Sequence, residues 1–186
     1  MPQSIDDQIS EFAKPLIAFC GEGVAHALEF LQPDELPEPY RTLLVHDTDM
    51  TSTLECYRGQ KMALHRVEQF IDGHNLVRHV ELCGRDDGEP AEFGAIEIHL
   101  DRLEAGPRAA VLEGDVPLGS VLKQAGIEFK SRPRAYFRIK PGEAIRHSFG
   151  VPEDGWLFGR CNQLLTINDE LIADVVEILP PHLSVS

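Results

Sequence analysis

The first part of the chain has apolar residues at helical spacing. They fall at Ile5, Ile9, Phe12 and Ala13. Acidic residues stand near the start of this pattern, where carboxylates suit the helix dipole. Pro15 interrupts it, and a second apolar stretch covers 16–30. We therefore expect 1–42 to form a helical N-terminal part.

Two short helices are predicted next along the chain. The first covers 40–44, after a loop rich in proline. Thr48 or Asp49 can cap the second helix, over 50–56, by accepting a hydrogen bond from its first turn.

From Met62 onward, the apolar and polar residues alternate with a period of two, which is typical of strands. The predicted strands cover about 62–71, 76–84, 91–100, 134–139, 156–167 and 171–181. The first three strands are connected by short turns, such as Asp86-Asp87-Gly88, which are too short for crossover helices and indicate an antiparallel meander, and the last two form a hairpin. Pro117 can begin a helix that ends near Gly126.

This pattern predicts an α+β protein, with a single antiparallel sheet of about six strands and helices on one face. The 186 residues suit one domain spanning 1–186. Hydrophobic residues make up 42% of the chain and charged residues 26%, as in ordinary globular proteins.

The charge of the chain limits its partners. A net charge of -14 repels nucleic acid phosphates and anionic lipid headgroups, so neither nucleic acid nor membrane is an expected partner. A small anionic ligand would need a local positive pocket, made from a few of the 17 Lys and Arg. The N-terminus lacks the basic segment of a signal peptide and no apolar run is long enough to span a membrane, so a cytoplasmic location is expected.

Metal and cofactor signatures are missing from the sequence. The four cysteines are widely spaced without a CxxC pair, and the eight histidines do not cluster. This argues against a zinc site and a disulfide framework. Phosphate-binding and dinucleotide-binding glycine motifs are also missing, and we expect no metal and no cofactor.

Three blocks, in order, resemble the chorismate lyase family. They are LLVHDTDMTSTLE (43–55), LVRHVELCGRDDGEPAEFGAIEIHLDRL (76–103), and the pair PLGSVL (117–122) with GWLFGRCNQLL (155–165). The closing LIADVVEILPP is similar to the family's last strand. The resemblance covers Leu43 to Pro181, most of the chain.

The resemblance implies a chorismate lyase-like fold, in which two helical flaps close over a buried ligand cavity. The flaps map to 49–56 and 117–123, with Met50 and Leu118 as ligand contacts. The family eliminates pyruvate from chorismate and leaves 4-hydroxybenzoate, without metal or organic cofactor. The ligand-sensing domain of some bacterial regulators shares this fold, so the fold by itself does not specify the activity.

The family's two charged site residues are not found where the resemblance places them. Ala95 stands at the position of the family's arginine, which holds the ligand carboxylate. Val175 or Val176 stands at the position of its glutamate, depending on the direction of counting. Asp174 and Glu177 flank that position and are the candidate catalytic carboxylates.

Several arginines could supply the missing positive charge. Arg160 matches an arginine of the family's Gly-Arg segment. Arg134 and Arg138 share one face of a predicted strand, and Arg66 and Arg78 lie on the first two strands. For each of them an exposed position is the simpler expectation.

Two functions follow as hypotheses. The first is a lyase that eliminates pyruvate from chorismate or a related compound to give a hydroxybenzoate. The second is a catalytically inactive or redirected relative that binds a small aromatic or apolar carboxylate, because loss of both charged residues should leave a more apolar pocket.

Overall fold

The structure is a computed structural model that describes residues 11–152 and 155–182. Its α-helices are α1 (Lys14–Cys20), α2 (Gly23–His26), α3 (Tyr40–Leu44), α4 (Met50–Arg58), α5 (Ala105–Glu113), α6 (Leu118–Gln124) and α7 (Glu143–Phe149). Its strands are β1 (Leu28–Leu31), β2 (Met62–Asp72), β3 (Asn75–Gly84), β4 (Pro90–His99), β5 (Phe129–Ile139), β6 (Leu157–Thr166) and β7 (Leu171–Leu179). Short 3₁₀ turns cover Pro33–Glu35 and Leu100–Arg102.

All seven strands belong to one antiparallel sheet in the order β1-β5-β6-β7-β4-β3-β2. The α+β class, the antiparallel pairing and the six expected strands are confirmed. The seventh strand is β1, which pairs with the end of β5 inside the part expected to be helical. A short apolar run has no residue period that distinguishes a strand from a helix. Residues 28–31 form a strand because they pair with the edge of the sheet at β5.

Helices cover both faces of the sheet. The expected face carries α3, α4, α5 and α6, whose apolar residues pack with Leu82, Ile98 and Val175. On the other face α1 and α7 pack on a core that includes Phe93, Phe137 and Val176. The second layer comes from the N-terminal segment and the helix between β5 and β6.

Helix α4 begins as the capping signal predicted. Asp49 Oδ1 accepts a hydrogen bond from the Ser52 backbone N–H at 2.9 Å. The helix ends at Gly59, whose φ of 68° is readily adopted by glycine. The helix expected after Pro117 is also confirmed, as α6.

Strand β5 begins at Phe129, earlier than the expected start at 134. Its pairing with β6 shifts register between Pro133 and Ala135. Proline has no backbone N–H to donate, so a bulge is where a strand tolerates it.

Of the predicted N-terminal helix, Ile5 and Ile9 lie outside the described residues. Among the helices of the described residues, none is long and apolar enough to cross a membrane.

Candidate functional site

A cavity of about 80 Å³ lies between the sheet and the two helices α4 and α6. One water molecule needs roughly 10–15 Å³ of such space, so about half a dozen waters, or one small ring compound, would fill it. Met50 and Leu118 contribute to the wall from the two helices, as the resemblance implied. We call this space the chamber. A larger groove of about 400 Å³ runs beside Trp156, but prolines, glycines and apolar side chains make up most of its wall.

Strand register explains why polar residues meet on the chamber floor. Val80, Gly94, Glu177 and Arg160 form one row across β3, β4, β7 and β6. The adjacent row on the same face contains Arg78, Ile96, Val175 and Asn162. Every second residue of a strand faces the same side, so both rows point toward the helices.

Gly94 lets Val80 and Glu92 approach closely at the centre of the floor. A Cβ placed there would lie 3.0 Å from Val80 Cγ2 and 3.1 Å from Glu92 Oε1. Both distances are tighter than ordinary van der Waals contact, so a side chain at this position would displace its neighbours.

Arg78 is a buried cation that has no ion-pair partner among the described residues. Its side chain is 1% exposed, and Nε and Nη1 have no hydrogen-bond partner among the described residues. Burial lowers the pKa of its guanidinium to about 10, and the charge of Arg66 adds to this effect. The group remains charged at neutral pH, and an anion in the chamber would satisfy it.

Glu92 is a second buried group with an unused hydrogen-bonding atom. It is 5% exposed, and Oε2 finds no partner in the described part of the chain. Burial raises the pKa of Glu92 well above its usual value, and the charge of Glu177 raises it further, against the opposing effect of Arg160. Burial and the charge of Glu177 therefore favour the neutral form of the carboxyl.

Arg160 and Glu177 form a buried ion pair through Nε and Oε2. Arg160 is 0% exposed. Its Nη1 donates to the carbonyl oxygens of Leu44 at 3.1 Å and His46 at 2.9 Å, and its Nη2 to that of Thr48 at 3.3 Å. These bonds hold the segment that leads into α4, so Arg160 positions a wall of the chamber, and each of its three guanidinium nitrogens already makes a hydrogen bond.

An ion pair joins the two helices above the chamber. Lys123 Nζ on α6 lies 2.7 Å from Oδ2 of Asp49, the N-cap of α4. Burial alone would raise the pKa of Asp49, but hydrogen bonds from Lys123 and Ser52 outweigh it and lower the pKa. Asp49 is therefore ionised at neutral pH.

The chamber brings together only some of the residues predicted from the sequence. Glu177 and Val175 line it with Met50 and Leu118. Ala95 and Val176 lie on the opposite face of the sheet, in the core beneath α1 and α7.

The remaining predicted residues lie away from the chamber. Asp174 Oδ1 accepts a hydrogen bond from Gln163 Nε2 at 2.9 Å. Arg138 donates to Glu29 at 2.6 Å and stacks over Trp156, and Arg134 is exposed, with its guanidinium 5.0 Å from the ring centre of Phe12.

Arg78, expected at the surface, is instead the unpaired cation of the chamber, and Glu92 was not singled out from the sequence. In the structure Glu92 pairs with Leu82 and Arg78 pairs with Ile96, so both charged residues share a buried face with apolar partners. The register of β3 and β4 shifts between Leu82 and Cys83, so simple pairing outward from the turn at Asp86–Gly88 would set Glu92 opposite Glu81 instead.

No cluster of three or more His, Cys, Asp or Glu suited to a metal ion occurs within 11–152 and 155–182. The four cysteines are free thiols.

Comparison with solved structures identifies the class of fold. The chain has the chorismate lyase-like α+β fold that also occurs in the ligand-binding domains of GntR-family regulators. No family model matches the sequence, and no curated protein matches it.

Three solved structures illustrate the likeness. PhnF from Mycobacterium smegmatis is 13% identical, with a TM-score of 0.59 over 74% of this chain and 65% of the PhnF chain, less than two thirds of its length. The effector domain of the same protein is 12% identical, with a TM-score of 0.58 over 72% of this chain and 88% of that domain. The ligand-binding domain of a putative GntR-family transcriptional regulator from Bordetella bronchiseptica is 10% identical, with a TM-score of 0.50 over 64% of this chain and 86% of that chain. At these identities the likeness shows the fold and leaves the function to the site.

Proposed function

We propose that this protein binds a small ring carboxylate in the chamber and eliminates pyruvate from chorismate or a close relative. The observation that carries the proposal is Arg78, a fully buried guanidinium whose Nε and Nη1 lack partners at the cavity wall. A carboxylate is the simplest group that would satisfy a buried guanidinium with unused N–H donors, because it neutralises the charge and accepts charge-assisted hydrogen bonds.

The elimination needs little from side chains. The bond between the ring carbon and the enolpyruvyl oxygen breaks, and the adjacent ring carbon loses its proton as the ring becomes aromatic. The oxygen keeps the bonding electrons, and the released enolate takes up a proton to become pyruvate. Hydroxybenzoate and pyruvate together account for every atom of chorismate.

The chamber offers what this step uses. Arg78 can fix the ring carboxylate, and Glu177, paired with Arg160, lies at the wall where it can accept the ring proton. Apolar residues from α4, α6 and the sheet keep water away, which strengthens electrostatic interactions inside. An arginine and carboxyl groups at one cavity support the lyase over the hypothesis of an apolar pocket.

The test measures binding and turnover separately. Calorimetry with 4-hydroxybenzoate should give saturable binding, and Arg78→Leu should weaken it about 100-fold, as expected for two charge-assisted hydrogen bonds. Arg134→Leu, at an exposed arginine, should leave binding unchanged. Incubation with chorismate should release 4-hydroxybenzoate and pyruvate in equal amounts, measured by chromatography.

A second candidate is an effector-sensing domain that binds its ligand without changing it. The fold likeness favours it, since two of the similar structures are described as an effector domain and a ligand-binding domain. Arg78-dependent binding of 4-hydroxybenzoate with no turnover of chorismate would select this candidate. Failure to bind any small aromatic carboxylate would remove both.

A further inference from the structure

Glu92 and Arg78 lie at different ends of the chamber. Glu92 is opposite Leu82 and Arg78 is opposite Ile96, so they differ by one strand and by four residues along the β3–β4 pair. The charges that act on Glu92 are those of Glu177, Arg160 and Asp49, whereas Arg66 is the charge that acts on Arg78. A ligand whose carboxylate meets Arg78 therefore has its far end toward Glu92.

The Glu92 carboxyl lies at the chamber wall beside Gly94. Its Oε1 would lie 3.1 Å from a Cβ at that position, so the glycine is what lets the carboxyl lie over the chamber floor. Its other oxygen, Oε2, is buried without a partner among the residues described. A buried polar atom without a partner at a cavity wall suggests that a ligand completes its hydrogen bonding.

The charges around the chamber distinguish the two ends. Arg160 and Glu177 neutralise each other, which leaves Arg78 as the unbalanced charge. Ionising Glu92 would put a second carboxylate beside Glu177 in a site away from water. One end thus attracts an anion, and the other holds a proton that it can share.

We propose that Glu92 binds the ligand as a neutral carboxylic acid, donating a hydrogen bond to an ether or hydroxyl oxygen remote from the ligand's carboxylate. This deepens the proposed function, on which it rests, by naming the class of ligand: a ring carboxylate with an uncharged oxygen acceptor at its far end. Glu92 is then a specificity-determining residue for that oxygen. In the lyase it would meet the enolpyruvyl ether oxygen, and in an effector domain the equivalent oxygen of the ligand.

The experiment uses two probes of nearly the same shape, and each probe is tested as its meta and its para isomer. Methoxybenzoate has the ether oxygen, and ethylbenzoate has a methylene in its place. The affinity ratio of methoxybenzoate to ethylbenzoate is measured by calorimetry in the wild type, Glu92→Gln and Glu92→Leu. Taking the ratio within each variant cancels the difference in hydrophobicity between the probes.

The ratio should be about tenfold higher in the wild type than in Glu92→Leu for at least one isomer, as expected for one hydrogen bond. It should be largely retained in Glu92→Gln, because the amide also donates. Equal ratios in the wild type and Glu92→Leu would overturn the role of Glu92 and leave the proposed function standing, provided that binding still depends on Arg78. Tighter binding of 4-aminobenzoate than of methoxybenzoate would likewise overturn it, because Glu92 would then accept a hydrogen bond from the amino group. Binding of none of these probes would overturn the inference and the proposed function together.

Discussion

Lys123 Nζ on α6 lies 2.7 Å from Asp49 Oδ2 at the start of α4, so one ion pair connects the two helices above the chamber. The Lys123 side chain is 55% exposed and that of Asp49 23%. An ion pair this accessible contributes about 0–1 kcal/mol to folding. Because the ion pair joins the two helices above the chamber, we expect it to affect the opening of the chamber more than the free energy of unfolding.

Lys123→Met should therefore speed the entry and release of ligand several-fold and change the free energy of unfolding by less than about 1 kcal/mol. Stopped-flow measurement with 4-hydroxybenzoate gives both rates. Lys130→Met is the matched control, because Lys130 makes a 2.7 Å ion pair with Asp169 in the β6–β7 turn. Equal rates in the two variants would show that the ion pair does not gate the chamber.

The buried pair Arg160–Glu177 should matter far more for folding. Arg160→Met leaves the Glu177 carboxylate buried without its counter-ion, and three backbone carbonyls lose their donor. Breaking such a pair from one side costs about 3–5 kcal/mol of unfolding free energy. Urea unfolding monitored by circular dichroism measures the loss.

Two further variants make that result interpretable. The double variant Arg160→Met, Glu177→Leu should recover part of the stability, because it leaves no unpaired charge. Arg138→Met removes an accessible ion pair with Glu29 and should cost less than about 1 kcal/mol. A loss for Arg160→Met as small as that for Arg138→Met would contradict the importance assigned to the buried pair.

Gly94→Ala should reduce ligand binding without unfolding the protein. The added methyl group would lie 3.0 Å from Val80 and 3.1 Å from Glu92, at the centre of the chamber floor. We expect at least a tenfold loss of affinity for 4-hydroxybenzoate and about 1–3 kcal/mol of overpacking cost. Gly106→Ala is the control: no atom lies within 4 Å of the new Cβ. It should bind normally and change the free energy of unfolding by less than about 1 kcal/mol, because any gain in helix propensity is opposed by the proline that follows. Unchanged binding in Gly94→Ala would place the ligand elsewhere.

Glu92 should make folding dependent on pH in a known direction. Its pKa is raised in the folded state, so folding takes up a proton between its unfolded pKa of roughly 4.3 and its folded pKa. Its contribution to stability is fully present below that range and is lost as the pH rises through the folded pKa. Glu92→Gln lacks this titration, so the stability of the wild type relative to Glu92→Gln should fall with rising pH. Thermal unfolding of both proteins from pH 4 to 9 tests this, and a constant difference would mean that Glu92 is ionised in the fold.

Most of the sheet could be predicted from local sequence because its signals are local. Alternation over 62–71, 76–84 and 91–100, with turn residues between, indicated β2, β3 and β4. Asp49 and Pro117 marked the starts of α4 and α6 for equally local reasons. Strand β1 was harder to predict, because its four residues become a strand only by pairing with β5.

The site was harder to predict than the fold, because a single residue of register changes the face on which a side chain lies. The resemblance placed the family's arginine at Ala95, which lies on the core face, while Arg78 on the neighbouring strand faces the chamber. Glu177 was a candidate catalytic carboxylate from the sequence. Whether its side chain faces the chamber depended on which side of β7 the helices α4 and α6 occupy. Glu92 has no distinctive neighbours in the sequence to mark it.

The sequence by itself determined the α+β class, the antiparallel order of the hairpins and the two helices above the sheet, since each follows from residue periods and turn chemistry within a few positions. Tertiary structure decided which charged residues would be buried together. Arg78, Glu92, Arg160 and Glu177 come from four strands, and their shared face results from strand pairing between segments up to 85 residues apart, as Phe93 and Ile178 are. The free energy of an unpaired buried charge depends on those distant neighbours, and no local pattern in the chain encodes it.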